Sequence, residues 1–305
     1  MLMPEENMKH LCVVSDYNFL PKGLTLYESL LENSKDFVLH YLCFDEKAYK
    51  KLLPYACETL KVYHDVDFLE KDEVLKNLKE SDRKYYSYAL ASYFSYRLME
   101  MLDEPITYID ADIYFHQDID NVISQTSTKS VGLFRHRQYT MQFPNGNGWF
   151  NVGVVYFKND SYGNFALNWW SDVVLNRKYP DLATCGDQRY LDAFAYSNLG
   201  VIDSSRVFVD GNIGHGAPWQ WQLYYYDTYA EDGCITWQGQ KQKLVFSHFS
   251  QFEYDIASNS YTPSTMHHCF TPTELYQSGG LKKIYDDYFE EIKKTHTKYE
   301  FEENL

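Results

Sequence analysis

Carboxylates set into apolar sequence are the groups in this chain best able to do chemistry. Three Asp-x-Asp triplets occur: Asp65/Asp67, Asp110/Asp112 and Asp118/Asp120. The first and third lie in polar, turn-like sequence, where solvated or capping roles are expected. Asp110/Asp112 sits instead between Ile106-Thr107-Tyr108-Ile109 and Ile113-Tyr114-Phe115. Two carboxylates in such surroundings are costly unless something pairs them. A divalent cation supplies that partner, and carboxylate oxygens suit Mg2+ or Mn2+, which keep positions open for substrate phosphates. His248, in Phe246-Ser247-His248-Phe249, follows the last apolar strand. By itself it reads as a core histidine. As a third ligand its imidazole would shift the preference toward Mn2+. Asn151-Val152-Gly153, Gly186-Asp187-Gln188 and Gly211-Asn212 place small or amide residues beside apolar stretches. Turn and capping chemistry accounts for each of these alone.

Positioning those groups calls for a sheet with helices. Leu11-Cys12-Val13-Val14 reads as a buried strand, Leu24 to Leu31 as an amphipathic helix, and Phe37 to Phe44 as a second strand. Strand, helix and strand in so short a span predict a βαβ unit and a parallel sheet. Val62-Tyr63-His64 is a short strand candidate, and Glu70 to Met101 is mostly helical, charged first and then aromatic. Ile106–Ile109 is the clearest buried strand, so Asp110 stands at its carboxyl end, where open α/β sheets place ligands. Ser130–Phe134, Val152–Phe157, Val201-Ile202, Val207–Val209 and Leu244–Phe246 are further strands. Phe165–Leu175, Asp187–Phe194 and Leu281 to Tyr299 read as helices, the last packing by Leu281, Ile284, Tyr285, Tyr288 and Ile292. No internal repeat or low-complexity tract interrupts the chain.

Composition narrows the function classes. The 305 residues carry 28 Lys+Arg against 43 Asp+Glu, a net charge of −15, which argues against a phosphate-tracking nucleic-acid binder and against a polybasic lipid anchor. With 45% apolar and 23% charged residues the chain reads as soluble and globular. No apolar run has the length of a membrane helix, and Met1–His10 lacks the apolar core of a secretory signal. Six scattered cysteines, Cys12, Cys43, Cys57, Cys185, Cys234 and Cys269, form no dense framework and suggest a reducing compartment; Cys12 and Cys43 read as core residues. The expected location is cytoplasmic.

The order of these segments resembles the nucleotide-sugar glycosyltransferases of GT-A fold, closest to a bacterial branch related to the glycogenin and lipooligosaccharide-galactosyltransferase type. The resemblance covers roughly Leu11 to Phe252. It rests on Val13–Tyr17, Tyr108–Phe115, Phe150–Gly153, Asn168–Trp170, Gly186–Leu191, Gly211-Asn212 through Trp219, and Phe246–Phe249. It implies an α/β fold with a central, mostly parallel mixed sheet over residues 1–260, with 261–305 as a packed helical extension. It implies a metal-dependent transferase that moves a hexose from a nucleoside diphosphate sugar, UDP favoured, to a glycan or glycolipid hydroxyl, with retention. Asp110, Asp112 and His248 would hold Mn2+ (or Mg2+), Asp110 also contacting ribose. Ser15, Asp16 and Tyr17 would hold the nucleotide base, and Asp187 and Gln188 would lie at the reacting carbon. Asn151, Gly153, His136, Asn212 and Trp219 would line the donor-sugar or acceptor side.

The chain departs from better-known relatives in its cations. No lysine stands close after His248, and the arginine of the helix before Asp110 is not at its place: Tyr93 stands near it, with Arg97 a turn later and Arg83 and Lys84 earlier. Phosphate binding must therefore use metal and backbone N–H groups, or Arg135, His136 or Arg137. Two loops, Gln138–Trp149 and Asp210–Tyr226, would shape the donor pocket. Two other classes compete. A non-catalytic carbohydrate-binding protein would use Trp169, Trp170, Trp219 and Trp221 as a stacking platform. A sugar-phosphate nucleotidyltransferase would need a glycine-rich loop that Val13–Phe19 lacks. A two-carboxylate hydrolase would leave His248 unexplained.

Overall fold

The computed structural model describes residues 8–69, 72–137, 147–196, 200–225, 229–264 and 271–301. The first strand, β1 (Lys9–Ser15), alternates its side chains between two cores: Cys12 and Val14 face one, Leu11 and Val13 the other. Burial on both faces is what makes its sequence an unbroken apolar run. Helix α1 (Leu20–Asn33), with Pro21 in its first turn, covers one face and leads to β2 (Phe37–Cys43). Asp45 caps α2 (Glu46–Leu52) before β3 (Leu60–His64). The short α3 (Val66–Leu69) follows, then α4 (Glu73–Ser81) and α5 (Arg83–Leu102), capped by Asp72 and Asp82. Asp103, in a left-handed conformation with φ 57°, ends α5 and turns the chain into β4 (Ile106–Ile109).

At β4 the architecture divides. The next strand, β5 (Ile113–Phe115), leaves the central sheet for a second one. After α6 (Asp120–Thr126), β6 (Val131–Arg135) and β7 (Phe150–Phe157) return to the first sheet. Asp160 caps α7 (Ser161–Leu175), which packs on the face that α5 also covers. The stretch predicted as a helix over Asp187–Phe194 is a 3-10 turn followed by the brief α8 (Asp192–Ala195). Val201-Ile202 is not a strand; the neighbouring edge strand is β8 (Val207–Val209), parallel to β6. Among the described residues the central sheet runs β3-β2-β1-β4-β7-β6-β8, parallel except where β7 lies antiparallel to β4 and β6.

The second sheet collects β9 (Gly214–Gly216), β10 (Tyr224–Tyr225), β11 (Cys234–Trp237) and β12 (Gln240–His248), with α9 (Tyr229–Asp232) between the second and third. β12 pairs antiparallel with β5, setting His248 opposite Ile113. A hairpin, β13 (Glu253–Asp255) and β14 (Ser260–Thr262), precedes α10 (Gly279–Lys298). All five predicted contact residues of α10 are buried, packed with Trp221, Phe249 and Phe252. Cys12, Cys43 and Cys234 are buried free thiols and Cys57 an exposed one; Cys269 lies outside the described residues.

One carboxylate reverses its expectation. Asp65 is fully buried, not solvated: its Oδ2 accepts from Lys79 Nζ at 2.6 Å and from the Tyr86 hydroxyl at 2.7 Å. Its partners arrive from α4 and α5, distant in sequence. Asp118 closes a local turn just before α6, accepting from Asp120 N at 2.9 Å, while Ile119 is the N-cap residue; Asp120 pairs with Lys9.

Candidate active site

The crossover from one sheet to the other makes the site. β4 ends at Ile109 and β5 begins at Ile113, so Asp110-Ala111-Asp112 forms the turn between sheets. Asp110 N donates to the Gly153 carbonyl at 2.9 Å, and Phe249 N donates to the Asp112 carbonyl at 2.8 Å. These bonds hold the turn against β7 and against the end of β12. His248 Nε2 thereby comes 3.0 Å from Asp112 Oδ1 and 3.8 Å from Asp110 Oδ2. One ligand atom from each of the three residues lies within 4.8 Å of the others. The donor set of two carboxylates and one imidazole fits a divalent cation such as Mn2+.

Asn151 orients the imidazole. Asn151 Oδ1 lies 3.0 Å from His248 Nδ1, and Asn151 Nδ2 donates to Gln188 Oε1 at 3.0 Å. The amide oxygen can only accept, so Nδ1 carries the proton and Nε2 is left to face the carboxylates. Gly153 N also donates to Asn151 Oδ1, at 2.7 Å. Without metal, burial alone would lower the His248 pKa, but Asp112 and Asp110 outweigh it and the net direction is up. Burial pushes Asp110 up to about 6, against the opposing pull of His248. Burial would also raise Asp112, yet its contact with His248 and the charge of Lys22 leave it lowered.

The cluster opens into a cleft of about 510 Å3 lined in part by Ser15, Asp16, Asp187, Gln188, His136 and Trp219. Asp187 is buried, and burial and the Asp110 charge raise its pKa well above the usual carboxylate range. Its carbonyl accepts from Trp170 Nε1 at 3.0 Å, which anchors the turn. Gln188 Nε2 donates to the Asn147 carbonyl at 2.8 Å, so its amide is held at both ends. His136 is buried, with Nδ1 3.2 Å from the Gly148 carbonyl, and burial lowers it to about 4. Trp219 stands edge-on to both His136 and His248.

Other expectations do not survive. The Tyr17 ring is not part of the cleft lining; it lies under Lys47 Nζ, 3.7 Å from the centroid, and edge-on to Phe301. Gly153 lies beneath the site and does not line it. Asn212 is exposed on the turn after β8, where its N–H reaches Gln125. Asn212 is not among the cleft-lining residues, and Asp210 two positions earlier pairs with Arg135 and Arg137. Those two arginines are therefore spent on Asp210, and Arg137 also lies over the Trp237 ring. Tyr93 is core, and Arg97 pairs with Glu100. The four tryptophans do not form one open platform: Trp170 and Trp221 are fully buried, the half-buried Trp169 packs against the core, and Trp219 lines the cleft. Residues 138–146 of one expected pocket loop, and Tyr226 of the other, lie outside the described residues. Phe19, Phe44, Tyr88, Ser250 and Gln251 line the cleft without any sequence signal beyond their place beside a motif or on the aromatic helix α5.

The profile of glycosyl transferase family 8 matches residues 10–206. The chain belongs to this family. It is a glycosyltransferase, and its architecture is the GT-A fold. Among curated relatives of this family 8 enzyme are two uncharacterized proteins of Bacillus subtilis (strain 168). YfnF is 27% identical over 253 residues, 79% of this chain and 80% of that protein. YfnD is 26% identical over 253 residues, 80% of this chain and 78% of that protein. The fold is shared with the galactosyltransferase LgtC, solved with donor and acceptor sugar analogs, at 13% identity and a TM-score of 0.52; the match covers 88% of this chain and 94% of that one. Mouse xyloside xylosyltransferase 1 matches at 16% identity and a TM-score of 0.50, covering 79% of this chain and 97% of that one. No helix among the described residues of the transferase is long and apolar enough to cross a membrane.

Proposed function

We propose that this family 8 enzyme transfers a hexose from a nucleoside diphosphate sugar, a UDP-sugar favoured, to a glycan or glycolipid hydroxyl with retention. The observation that carries the reading is the convergence of Asp110, Asp112 and His248 at the mouth of a cleft that also holds Asp187 and Gln188. Asp110, Asp112 and His248 would hold Mn2+ or Mg2+, which when bound would offset the charge that builds on the departing diphosphate. Ser15 and Asp16, with the Phe19 and Phe44 rings, bound the nucleotide end. Asp187, whose pKa is raised by burial and by the Asp110 charge, would meet a sugar hydroxyl in the cleft. Gln188, pinned by Asn151 and Asn147, presents a fixed amide to the reacting face. Retention rests on kinship with the resembling family. The catalytic unit is residues 1–260, and 261–305 forms a helical extension; the bond from Thr25 to Thr295 between α1 and α10 supports that packing. The enzyme acts in the cytoplasm, at the membrane if its acceptor is a glycolipid.

Thermal shifts with UDP, GDP, ADP and CMP, with and without Mn2+, test the donor class. UDP with Mn2+ should stabilise most, and no shift from any nucleotide would overturn the reading. Asp112→Ala and His248→Ala should each abolish Mn2+-dependent hydrolysis of the UDP-sugar. Wild-type rates in both would remove the metal site.

A further inference from the structure

The Gln188 side chain is held at both ends, but only one of its partners is fixed by the sheet. Its Oε1 accepts from Asn151 Nδ2 at 3.0 Å, and Asn151 lies within β7, paired with Phe134 of β6. Its Nε2 donates to the Asn147 carbonyl at 2.8 Å, and Asn147 stands outside that strand, three residues before it. The segment Asn147-Gly148-Trp149 therefore needs an anchor of its own.

Asp192 supplies it. It is the first residue of α8, only 8% exposed, and its Oδ1 accepts from Trp149 N at 2.8 Å. Gly148 lies against the same carboxylate with φ 81°: a Cβ there would stand 2.9 Å from Asp192 Oδ2, 3.0 Å from Oδ1 and 3.2 Å from the Arg189 Cα. Both the positive φ and this close approach call for glycine, which seats the bare backbone on the turn that carries Gln188. From the other side, His136 N donates to the Trp149 carbonyl at 2.9 Å, and His136 Nδ1 lies 3.2 Å from the Gly148 carbonyl. Burial raises the Asp192 pKa to about 6, while the Trp149 N–H and the Arg189 charge pull it down. Gln188, His136 and Asn147 line the cleft and Asp192 does not, so any influence it has on the site passes through them.

We propose that Asp192 is a positioning residue: through the Trp149 N–H it fixes the segment whose Asn147 carbonyl sets the Gln188 amide toward the reacting face. The assignment rests on the nucleotide-sugar reading above, which puts Gln188 beside the reacting carbon. Without the carboxylate the Trp149 N–H loses its acceptor, the segment can shift, and the Gln188 amide keeps only its bond to Asn151. A fixed amide is already in place when the donor arrives, whereas a loose one must be ordered at that moment.

Two measurements test this. The first needs no turnover: in 15N-labelled protein the Gln188 side-chain amide, identified by its loss in Gln188→Glu, should be protected from solvent exchange. Asp192→Ala should remove that protection, and Asp192→Asn, whose carbonyl can still accept from Trp149 N, should keep it. The second is Mn2+-dependent hydrolysis of UDP-glucose and UDP-galactose. Asp192→Ala should lower kcat by about 10–100-fold, as expected for a misplaced group, and leave UDP affinity at saturating Mn2+ at the wild-type value. Asp192→Ala combined with Gln188→Ala should be no slower than Gln188→Ala alone, because both remove one function. Should Asp192→Ala fail to fold, Gly148→Ala replaces it, since its methyl pushes the segment off an intact carboxylate. An amide that stays protected in the variant overturns the assignment, as do losses that multiply in the double variant or a kcat loss matched by a loss of UDP affinity. Wild-type protein that hydrolyses neither sugar overturns the donor reading, while the amide measurement still decides what Asp192 holds in place.

Discussion

Gly153→Ala offers a sharp test of how the metal site is built. Gly153 lies within β7, flanked by buried Val152 and Val154, where the ladder to β4 holds the backbone in place. A Cβ there would stand 2.5 Å from Asn151 Oδ1 and 2.7 Å from His248 Nδ1. Those atoms are the two ends of the bond that orients His248. The methyl must therefore push apart the pair that aims Nε2 at the carboxylates. Overpacking of this kind costs about 1–3 kcal/mol of stability. Loss of a second-shell partner typically weakens metal binding by about 10–100-fold. At a Mn2+ concentration ~100 times the wild-type dissociation constant, the metal should stabilise wild type by about 2.7 kcal/mol. A ~30-fold weaker site would retain about 0.9 kcal/mol at that concentration. With roughly 2 °C per kcal/mol for a chain near this size, the Mn2+-induced shift should fall from ~5 °C to ~2 °C. Scanning fluorimetry with and without Mn2+ reads this difference separately from the drop in metal-free Tm. If Gly153→Ala keeps the full Mn2+ shift, the Asn151–His248 bond does not set the ligand geometry.

Mn2+ binding should depend on pH with a definite sign. The His248 pKa is raised, so its protonated pairing with Asp112 stabilises the metal-free fold below the ordinary value of 6.5 and is lost as pH rises through the folded value. Metal needs the neutral ring, so Mn2+ affinity should climb up to ~10-fold per pH unit until that folded value is passed; a flat calorimetric profile from pH 5.5 to 8 would refute this. Asp210→Asn should destabilise by about 3–5 kcal/mol, because Arg137 is buried with that carboxylate as its ion-pair partner. Burial would raise the Asp210 pKa, but His215, Arg137 and Arg135 hold it well below the usual range. Its contribution should therefore be complete above about pH 4 and shrink as pH falls through the folded value, closing the Tm gap between variant and wild type in acid. A gap that does not depend on pH would show that the charge is not what matters.

Local pattern carried much of this protein. Apolar runs located β1, β2, β4, β7 and β12, and the position of Asp110/Asp112 between two such runs marked a ligand-bearing strand end. Burial on both faces leaves that signature whatever the remaining chain does. The same logic failed wherever a side chain's role depends on its partner. Arg137 looked available for phosphate until Asp210, 73 residues away, was found to hold it. Asn151 looked like a sugar contact, yet it also orients His248 across 97 residues. Tyr17 and Asn212 sit within matching motifs, but the ring turns to Lys47 and Phe301, and the Asn212 turn stays outside the cleft. Asp65, polar by its neighbours in sequence, is buried by α4 and α5.

The sequence by itself determined that a carboxylate pair ends a buried strand, that a histidine follows another, and that the chain is too acidic to bind an anion unaided. It singled out Asp110 and Asp112 as candidate ligands because carboxylates are exceptions within an apolar stretch, whereas His248 alone read as a core residue and joined them through the family resemblance. Only the tertiary structure decided which other groups serve the cleft. The crossover between two sheets brings Asp112 to His248, and β7 brings Asn151 to the same imidazole. Charge and hydrogen bonding act over a few ångströms of space, and separation along the chain does not encode that distance.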